Sequence, residues 1–379
     1  MRKIKVCDVV RNSVWYDPRV NKQIKEYAVH DFEVHIVGQE DNRTNYEEIN
    51  KIAGFPHIVK IPDKYYIRQN KLNTLRREVY INKRLVREII ACRPEIIHAN
   101  DLNALLPAFI AAKKIGCKVI YDTHEIFLEN NYAYKSVLFK LFWGIIEKLL
   151  IRKVDLVVCV SNAAAKYLSA KYNIDTPMVV TNCVRKYDVG FCTKATKFEV
   201  LNHGWFYEGR GYDLMIETAK LSDNPEISYV LRGYGKMEEQ LKQSVKDASL
   251  TNVRFAPPVK VYELIPSAES SHVGLAITIP YCLNFKLSVS NKLFEYAAAG
   301  LPVIMSDIPE HRYLNNKYNF GIILQENTPE ALNEAVYKLF NDRELYNLLS
   351  QNALRLSLDI NWENEFSKLI DFELNITRQ

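Results

Sequence analysis

Lys292 and Glu295 stand three residues apart in Ser288–Asp307, SVSNKLFEYAAAGLPVIMSD, a stretch that reads as a short helix followed by a buried strand. Small polar residues (Ser288, Ser290, Asn291) open the helix, Gly300 stops it and Pro302 keeps it from resuming. Open amides at such an N-terminus suit a phosphate, with Lys292 in the first turn beside them. Glu295, about one turn further in, would face the same ligand and accept hydrogen bonds from sugar hydroxyls. An ordinary amphipathic helix with both side chains solvated accounts for the same pattern.

Other chemistry-bearing residues gather at the ends of apolar runs. His98, Asn100 and Asp101 follow one run, and Asp122, His124 and Glu125 (YDTHE) follow the next. Carboxylates beside imidazoles can move protons, although a helix cap and a satisfied buried histidine explain either cluster as well. In the second half His203-Gly204 ends a run, Glu208-Gly-Arg-Gly211 leads into a helical one, and Arg232-Gly-Tyr-Gly235 repeats that ending. Gly204, Gly209 and Gly211 permit close backbone approach, Gly233 holds the matching place, and Arg210 has the forked shape that grips a diphosphate.

The elements that must position these residues alternate along the chain. Strands are expected at Lys3–Val10, Phe32–Val37, Glu95–Ala99, Lys118–Tyr121 and Leu156–Val160. Helices are expected between them at Arg19–His30, Ile81–Cys92, Leu102–Ile115, Ser136–Arg152 and Asn162–Tyr172. Residues 182–197 break the pattern and read as a linker, after which strands and helices alternate again. The expected fold is α/β, with two Rossmann-like domains, 1–181 and 198–360, facing a central cleft. A C-terminal helical tail, 361–379, is a candidate to pack back on the N-terminal domain.

At 379 residues the chain exceeds the usual single core, and its 48% hydrophobic and 25% charged content is that of a soluble globular protein. Met1–Val10 is too short and too charged for a secretory leader, and charges interrupt the most apolar stretch, so a cytoplasmic protein is expected. Seven cysteines without a Cys-x-x-Cys pair read as reduced thiols and indicate neither a disulfide framework nor a zinc site. The net charge of +5 divides unevenly, as residues 1–180 carry nine excess positive charges and 181–379 four excess negative ones. Residues 60–93 hold ten basic and three acidic side chains among tyrosines and leucines. Such a segment suits an anionic membrane surface, with the inner face of the membrane a candidate for peripheral attachment, or it is a solvated helix face. No nucleic-acid module accompanies it. The aromatic stretch Tyr132–Arg152 has the make-up of a helix that dips into a membrane interface beside a lipid-linked acceptor, but its apolar stripe is too wide for a purely exposed helix, and burial in the domain is its expected fate.

The residues carry a resemblance. His203–Asp213 (HGWFYEGRGYD), Leu231–Gly235, Asn252–Phe255 with Glu263-Leu264, and above all Asn291–Ser306 (NKLFEYAAAGLPVIMS) resemble the donor domain of GT-B glycosyltransferases of family 4, or group 1. Asp17–Lys22 (DPRVNK), His98–Asp101 and Tyr121–Glu125 resemble the same group, so the likeness spans nearly the whole chain. It implies a glycosyltransferase that moves a sugar from a UDP- or GDP-linked donor to a glycan or lipid-linked glycan in cell-surface polysaccharide biosynthesis, without a metal or other cofactor. By motif position Arg210, Lys292, Asn291, Gly204 and Gly233 would hold the donor and Glu295 its ribose. His124 would lie near the reacting sugar, with Glu125 and Asp122 as base candidates. Family members carry a second glutamate eight positions before the one matched by Glu295; here that place is Leu287, flanked by Lys286 and Ser288. A glycine-rich loop after the first strand is replaced by RNSVWYDPRVN, so acceptor recognition is expected from Arg11, Asn12 and Arg19, with His98 and Asp101. The alternatives are a GT-B nucleotide-sugar epimerase and a catalytically inactive nucleotide-sugar-binding subunit.

Overall fold

Short runs of valine, isoleucine and leucine, buried on both faces, build two parallel sheets, because a strand covered by helices on either side has no polar face to show. The computed structural model describes residues 3–65, 71–130, 137–190 and 192–377. Met1–Thr181 with Glu365–Gln379 form one compact unit and Asn182–Asn364 the other.

In the first unit β1 (Lys5–Val9), α1 (Pro18–Val29), β2 (Glu33–Gln39), α2 (Tyr46–Ile49), β3 (Phe55–Val59), α3 (Lys71–Cys92) and β4 (Ile96–Asn100) follow in order. Then come α4 (Leu102–Ile115), β5 (Lys118–Thr123), α5 (Val137–Leu150), β6 (Leu156–Cys159), α6 (Asn162–Tyr172) and β7 (Met178–Val179). The sheet order is β3-β2-β1-β4-β5-β6-β7. The order reverses between β1 and β4, so the loops after them diverge and leave room for a ligand. Asp17 starts α1 by accepting from the Val20 amide at 3.2 Å, and Ser161 starts α6 by accepting from Ala164 at 3.1 Å.

The second unit runs β8 (Phe198–Trp205), α7 (Tyr212–Leu221), β9 (Ile227–Tyr234), α8 (Glu238–Asp247), β10 (Val253–Ala256), α9 (Leu264–Ala268), β11 (Val273–Ala276) and α10 (Leu283–Leu287). It continues with α11 (Asn291–Ala298), β12 (Val303–Ser306), α12 (Pro309–Tyr318), β13 (Gly321–Leu324), α13 (Pro329–Asn341) and α14 (Arg343–Asp359). α15 (Trp362–Ile376) begins here and ends in the first unit. The sheet order β10-β9-β8-β11-β12-β13 reverses between β8 and β11. Residues 182–190 and 192–197 contain no helix or strand and are tied to this unit at Glu269, which accepts from Tyr187 Oη at 2.8 Å and the Gly190 amide at 3.1 Å.

Three expectations change. β3 is a strand beyond those expected; it contains Pro56, and as an edge strand it can lack one ladder donor. α3 begins ten residues before the expected Ile81 and takes in most of the basic segment, of which residues 66–70 lie outside those described. The aromatic helix is not buried all round. α5 turns Trp143, Glu147 and Leu150 inward but exposes Val137, Leu141, Phe142, Ile145 and Leu149, since a helix lying on a sheet has one layer to bury against. No described helix is long and apolar enough to cross a membrane.

α11 is seated where a side chain is missing from β11. A Cβ at Gly274 would fall 2.2 Å from Cγ of Tyr296, so the ring occupies that space. The Tyr296 hydroxyl then accepts from the His203 amide of β8 at 2.9 Å, and Gly300 at φ 68° closes the helix with Leu301 N–H on Tyr296 O at 2.9 Å. Gly274→Ala should therefore destabilise the chain by about 1–3 kcal/mol, read as a lower urea midpoint at unchanged slope. An unchanged midpoint would mean that α11 is not held by this contact.

Candidate functional site

Two clusters stand at the C-terminal ends of strands, one in each unit. In the first unit Asp122 on β5 is fully buried, and charges must be met where water is absent. Arg19 of α1 forks onto it at 2.8 and 3.1 Å, Gln23 donates at 2.7 Å, and His98 Nε2 lies 3.3 Å away. Burial alone would push the Asp122 carboxyl up, but the Arg19 guanidinium and the two histidines hold it far below the usual carboxylate range. On the other ring edge of His98, Nδ1 meets Tyr27 Oη at 2.8 Å, and that hydroxyl donates to Glu373 of α15 at 2.6 Å. Glu373 Oε2 has no partner among the described residues, and burial pushes this carboxyl up to about 8.

Asp122, His98 and Arg19 are thus corrected from base and acceptor contacts to a buried scaffold. They bond to one another, to Gln23 and Tyr27 and, from Arg19 Nη1, to Val180 O at 3.0 Å, and none reaches solvent to a useful extent. His124 and Asp101, just beyond the same strands, are the residues that remain reachable. His124 Nε2 donates to Asn100 Oδ1 at 2.9 Å, an assignment set by the Asn100 amide, which donates to Asp8 and to Val9 O. Asp101 accepts from the His124 amide at 3.1 Å, and its Oδ2 lies 3.7 Å from Nδ1. Its backbone sits at φ 66°, ψ 164°, a region that a residue with a Cβ enters only at a cost of about 1–3 kcal/mol. Glu125 is exposed and accepts from Asn130. In the loop after β1, Arg11 is held by Gln39 at 2.6 Å and Glu78 at 2.8 Å while its buried Nη1 has no partner among the described residues; Asn12 donates to Asp17 at 2.9 Å.

In the second unit the backbones of β8 and β9 close together, since a Cβ on Gly233 would fall 1.8 Å from the Gly204 carbonyl oxygen. The absent side chain at Gly204 leaves space for Lys292 of α11, whose Cε lies 3.3 Å from where a Cβ would stand. Lys292 Nζ donates to Asn202 Oδ1 at 2.7 Å and Tyr212 Oη at 3.2 Å and lies 4.6 Å from the centre of the Tyr212 ring. Burial and the nearby Arg210 push its ammonium down to about 7, against the pull of Glu295. Glu295 pairs with His203 Nε2 at 2.7 Å, and that imidazole stacks on Tyr296 at 4.5 Å. Arg210 lies 4.8 Å above the Phe285 ring, and Asn291 is exposed at the first position of α11. Ser290, the N-cap, makes no side-chain bond to the first turn.

This arrangement can neutralise an anion with Lys292, Arg210 and helix amides while Glu295 offers an acceptor. Trp205 and Tyr234, stacked at 6.4 Å and both exposed, extend it as an aromatic surface that the sequence reading missed. Their signal was adjacency, each following a glycine already singled out. Among the described residues His35, His57 and Cys92 also form a compact metal-ligating group, which short-range spacing does not reveal.

The model of Glycosyltransferase Family 4 matches residues 19–185, and that of Glycosyl transferases group 1 matches residues 192–355. An uncharacterized glycosyltransferase of Methanocaldococcus jannaschii is 22% identical over 297 residues, 73% of each chain. Among solved structures, Anabaena HepE in complex with UDP and glucose superposes with a TM-score of 0.75 at 14% identity over 98% of this chain and 99% of that one. Sucrose-phosphate synthase of Thermosynechococcus elongatus gives 0.76 at 12% identity, covering 99% of both.

Glu373 sets a pH dependence. Its carboxyl binds a proton more tightly folded than unfolded, so between about 4.5 and 8 the native state holds the extra proton and stability falls as pH rises. Glu373→Gln should flatten that fall in urea titrations from pH 5 to 8. A slope equal to that of the parent would assign the effect elsewhere.

Proposed function

The chain belongs to the GT-B glycosyltransferases of family 4 and group 1, and we propose that it transfers a sugar from a UDP-linked donor held in its second unit. The carrying observation is the meeting of Lys292, Glu295 and the glycine pair Gly204/Gly233 at the end of β8 and the first turn of α11. As the bond from the anomeric carbon to the diphosphate breaks, negative charge grows on the departing oxygen. Lys292, Arg210 and the α11 amides oppose that charge without moving, which is the condition for lowering the barrier. Glu295, oriented by His203, accepts from a ribose hydroxyl, and Trp205 with Tyr234 offers a face to the base or sugar. HepE, solved with UDP, with UDP and glucose and with UDP-glucose, supports uridine as the base.

In the first unit His124 contacts the acceptor, with Asp101 and Asn100 fixing the ring. Asn12 and Arg11, whose Nη1 has no partner among the described residues, contact the acceptor, a glycan or lipid-linked glycan of cell-surface polysaccharide synthesis. The exposed face of α5 supports peripheral attachment to an anionic bilayer. Val137, Leu141, Phe142, Ile145 and Leu149 are outward together with Lys148, Arg152 and Lys153, whereas the helix's one acid, Glu147, is buried against Tyr121 and Tyr172.

UDP at one hundred times its dissociation constant should stabilise the chain by about 2.7 kcal/mol, with GDP and ADP doing less at equal concentration. Above pH 7 the neutral Lys292 must take up a proton to meet the diphosphate, so UDP affinity should fall towards pH 9, and Lys292→Met should lose both the stabilisation and its pH dependence. No shift with any nucleotide, or an equal shift in the variant, would overturn the donor site. The chain should sediment with anionic but not neutral vesicles at low salt, and Phe142→Asp with Ile145→Asp should abolish this. Failure of the parent to sediment would refute attachment.

A further inference from the structure

The geometry points to a metal site in the first unit, remote in the fold from the strand ends that carry His124: a borderline-soft divalent ion such as Zn2+ bound by His35, His57 and Cys92. The three residues come from β2, β3 and the last position of α3, and one ligand atom of each lies within 4.8 Å of the others. His35 Nδ1 and His57 Nε2 face each other at 3.2 Å. Two nitrogens bound to a tetrahedral zinc at about 2.0–2.1 Å stand about 3.3–3.4 Å apart, so the pair already has the spacing of two ligands.

The rings are also oriented from behind. His35 Nε2 donates to Glu33 Oε1 at 3.0 Å, and Lys5 Nζ holds the same oxygen at 2.9 Å. That bond places the His35 proton on Nε2 and leaves the lone pair of Nδ1 directed at the site, the carboxylate–histidine arrangement that supports metal ligands. Stacking on Phe55, at 5.1 Å between ring centres, fixes the plane of His35. Parallel register sets Cys7 beside His35 and Val37 beside His57, so the histidines project from one face of the sheet towards the end of α3.

Cys92 is buried and its sulfur donates to Glu88 O at 3.1 Å. On binding, the Cys92 S–H bond breaks, a sulfur–metal bond forms and one proton leaves to solvent. The His57 proton moves from Nε2 to Nδ1, and both imidazoles stay neutral. Two nitrogens and one thiolate suit Zn2+ or Co2+ and disfavour Mg2+ and Ca2+, and water fills the fourth place because both histidines are only half-buried. The ion would fasten the edge strand β3, which has β2 as its one sheet neighbour, to α3.

The test uses the full chain after chelator treatment, titrated with Zn2+ and with Co2+ as a spectroscopic probe. We expect one ion per chain, a raised melting temperature, release of one proton, and a cobalt spectrum with tetrahedral ligand-field bands and a thiolate charge-transfer band. His57→Gln and Cys92→Ser should each weaken binding at least about tenfold, and the cobalt spectrum of Cys92→Ser should lose the thiolate band. Exposed Cys192→Ser should bind as the parent does. Absence of binding by the parent, a cobalt spectrum without the thiolate band, or unchanged affinity in both ligand variants overturns the site. UDP-induced stabilisation, read in the same metal-free samples, reports on the donor site separately.

Discussion

The buried carboxylate of Asp122 is the constraint on which the first unit depends. A charge on a strand deep in a parallel sheet costs several kcal/mol in desolvation unless partners meet it. Here they come from α1, β4 and, through Tyr27, α15, so one residue fixes how three elements join β5. The same network explains why a helix more than two hundred residues away in sequence belongs to this unit. Its last acid, Glu373, has one oxygen without a partner among the described residues, and burial favours its protonated form.

That scaffold also separates residues that look alike in sequence. Asp101 and Asp122, like His98 and His124, lie at the ends of neighbouring strands, one of each pair inside the sheet and one beyond it. One or two positions decide whether a side chain is enclosed by helices or meets the loop region. The inner pair is used up in mutual bonds. The outer pair is carried on a strained backbone at Asp101, held because the Asp101 amide donates to Asp122 O at 2.8 Å. The scaffold therefore stabilises the conformation that presents His124.

Alternation of apolar runs with helical periods was enough to read the parallel sheets and most helices, because each such element is specified locally. The Lys292–Glu295 helix was legible for the same reason: cap, lysine, glutamate and glycine stop lie within one short stretch. What escaped was set by distant contact. β3 contains Pro56 and is acceptable only because it is an edge. The outward apolar stripe of α5 has the composition of a buried one, yet among the described residues Val137, Leu141, Phe142, Ile145 and Leu149 stay exposed. Arg19 reads as an acceptor contact in sequence, and its partner in the fold, Asp122, lies 103 residues on.

The second unit applies the opposite economy of contact. Where the first uses side-chain bonds to enclose charge, the second removes side chains so that backbone and cation come close. Gly233 allows β9 to approach the Gly204 carbonyl, Gly204 makes room for Lys292, and Gly274 admits Tyr296, which seats α11 and bonds β8. Lys292 is then buried with its ammonium donating to the neutral Asn202 and Tyr212, and its proton is held loosely. A lysine in a tight ion pair would resist an incoming diphosphate, and a fully hydrated one would gain little from it. Enclosure by neutral partners avoids both outcomes: the ammonium lacks most of its hydration before the ligand arrives, so a bound anion restores the stabilisation that burial removed.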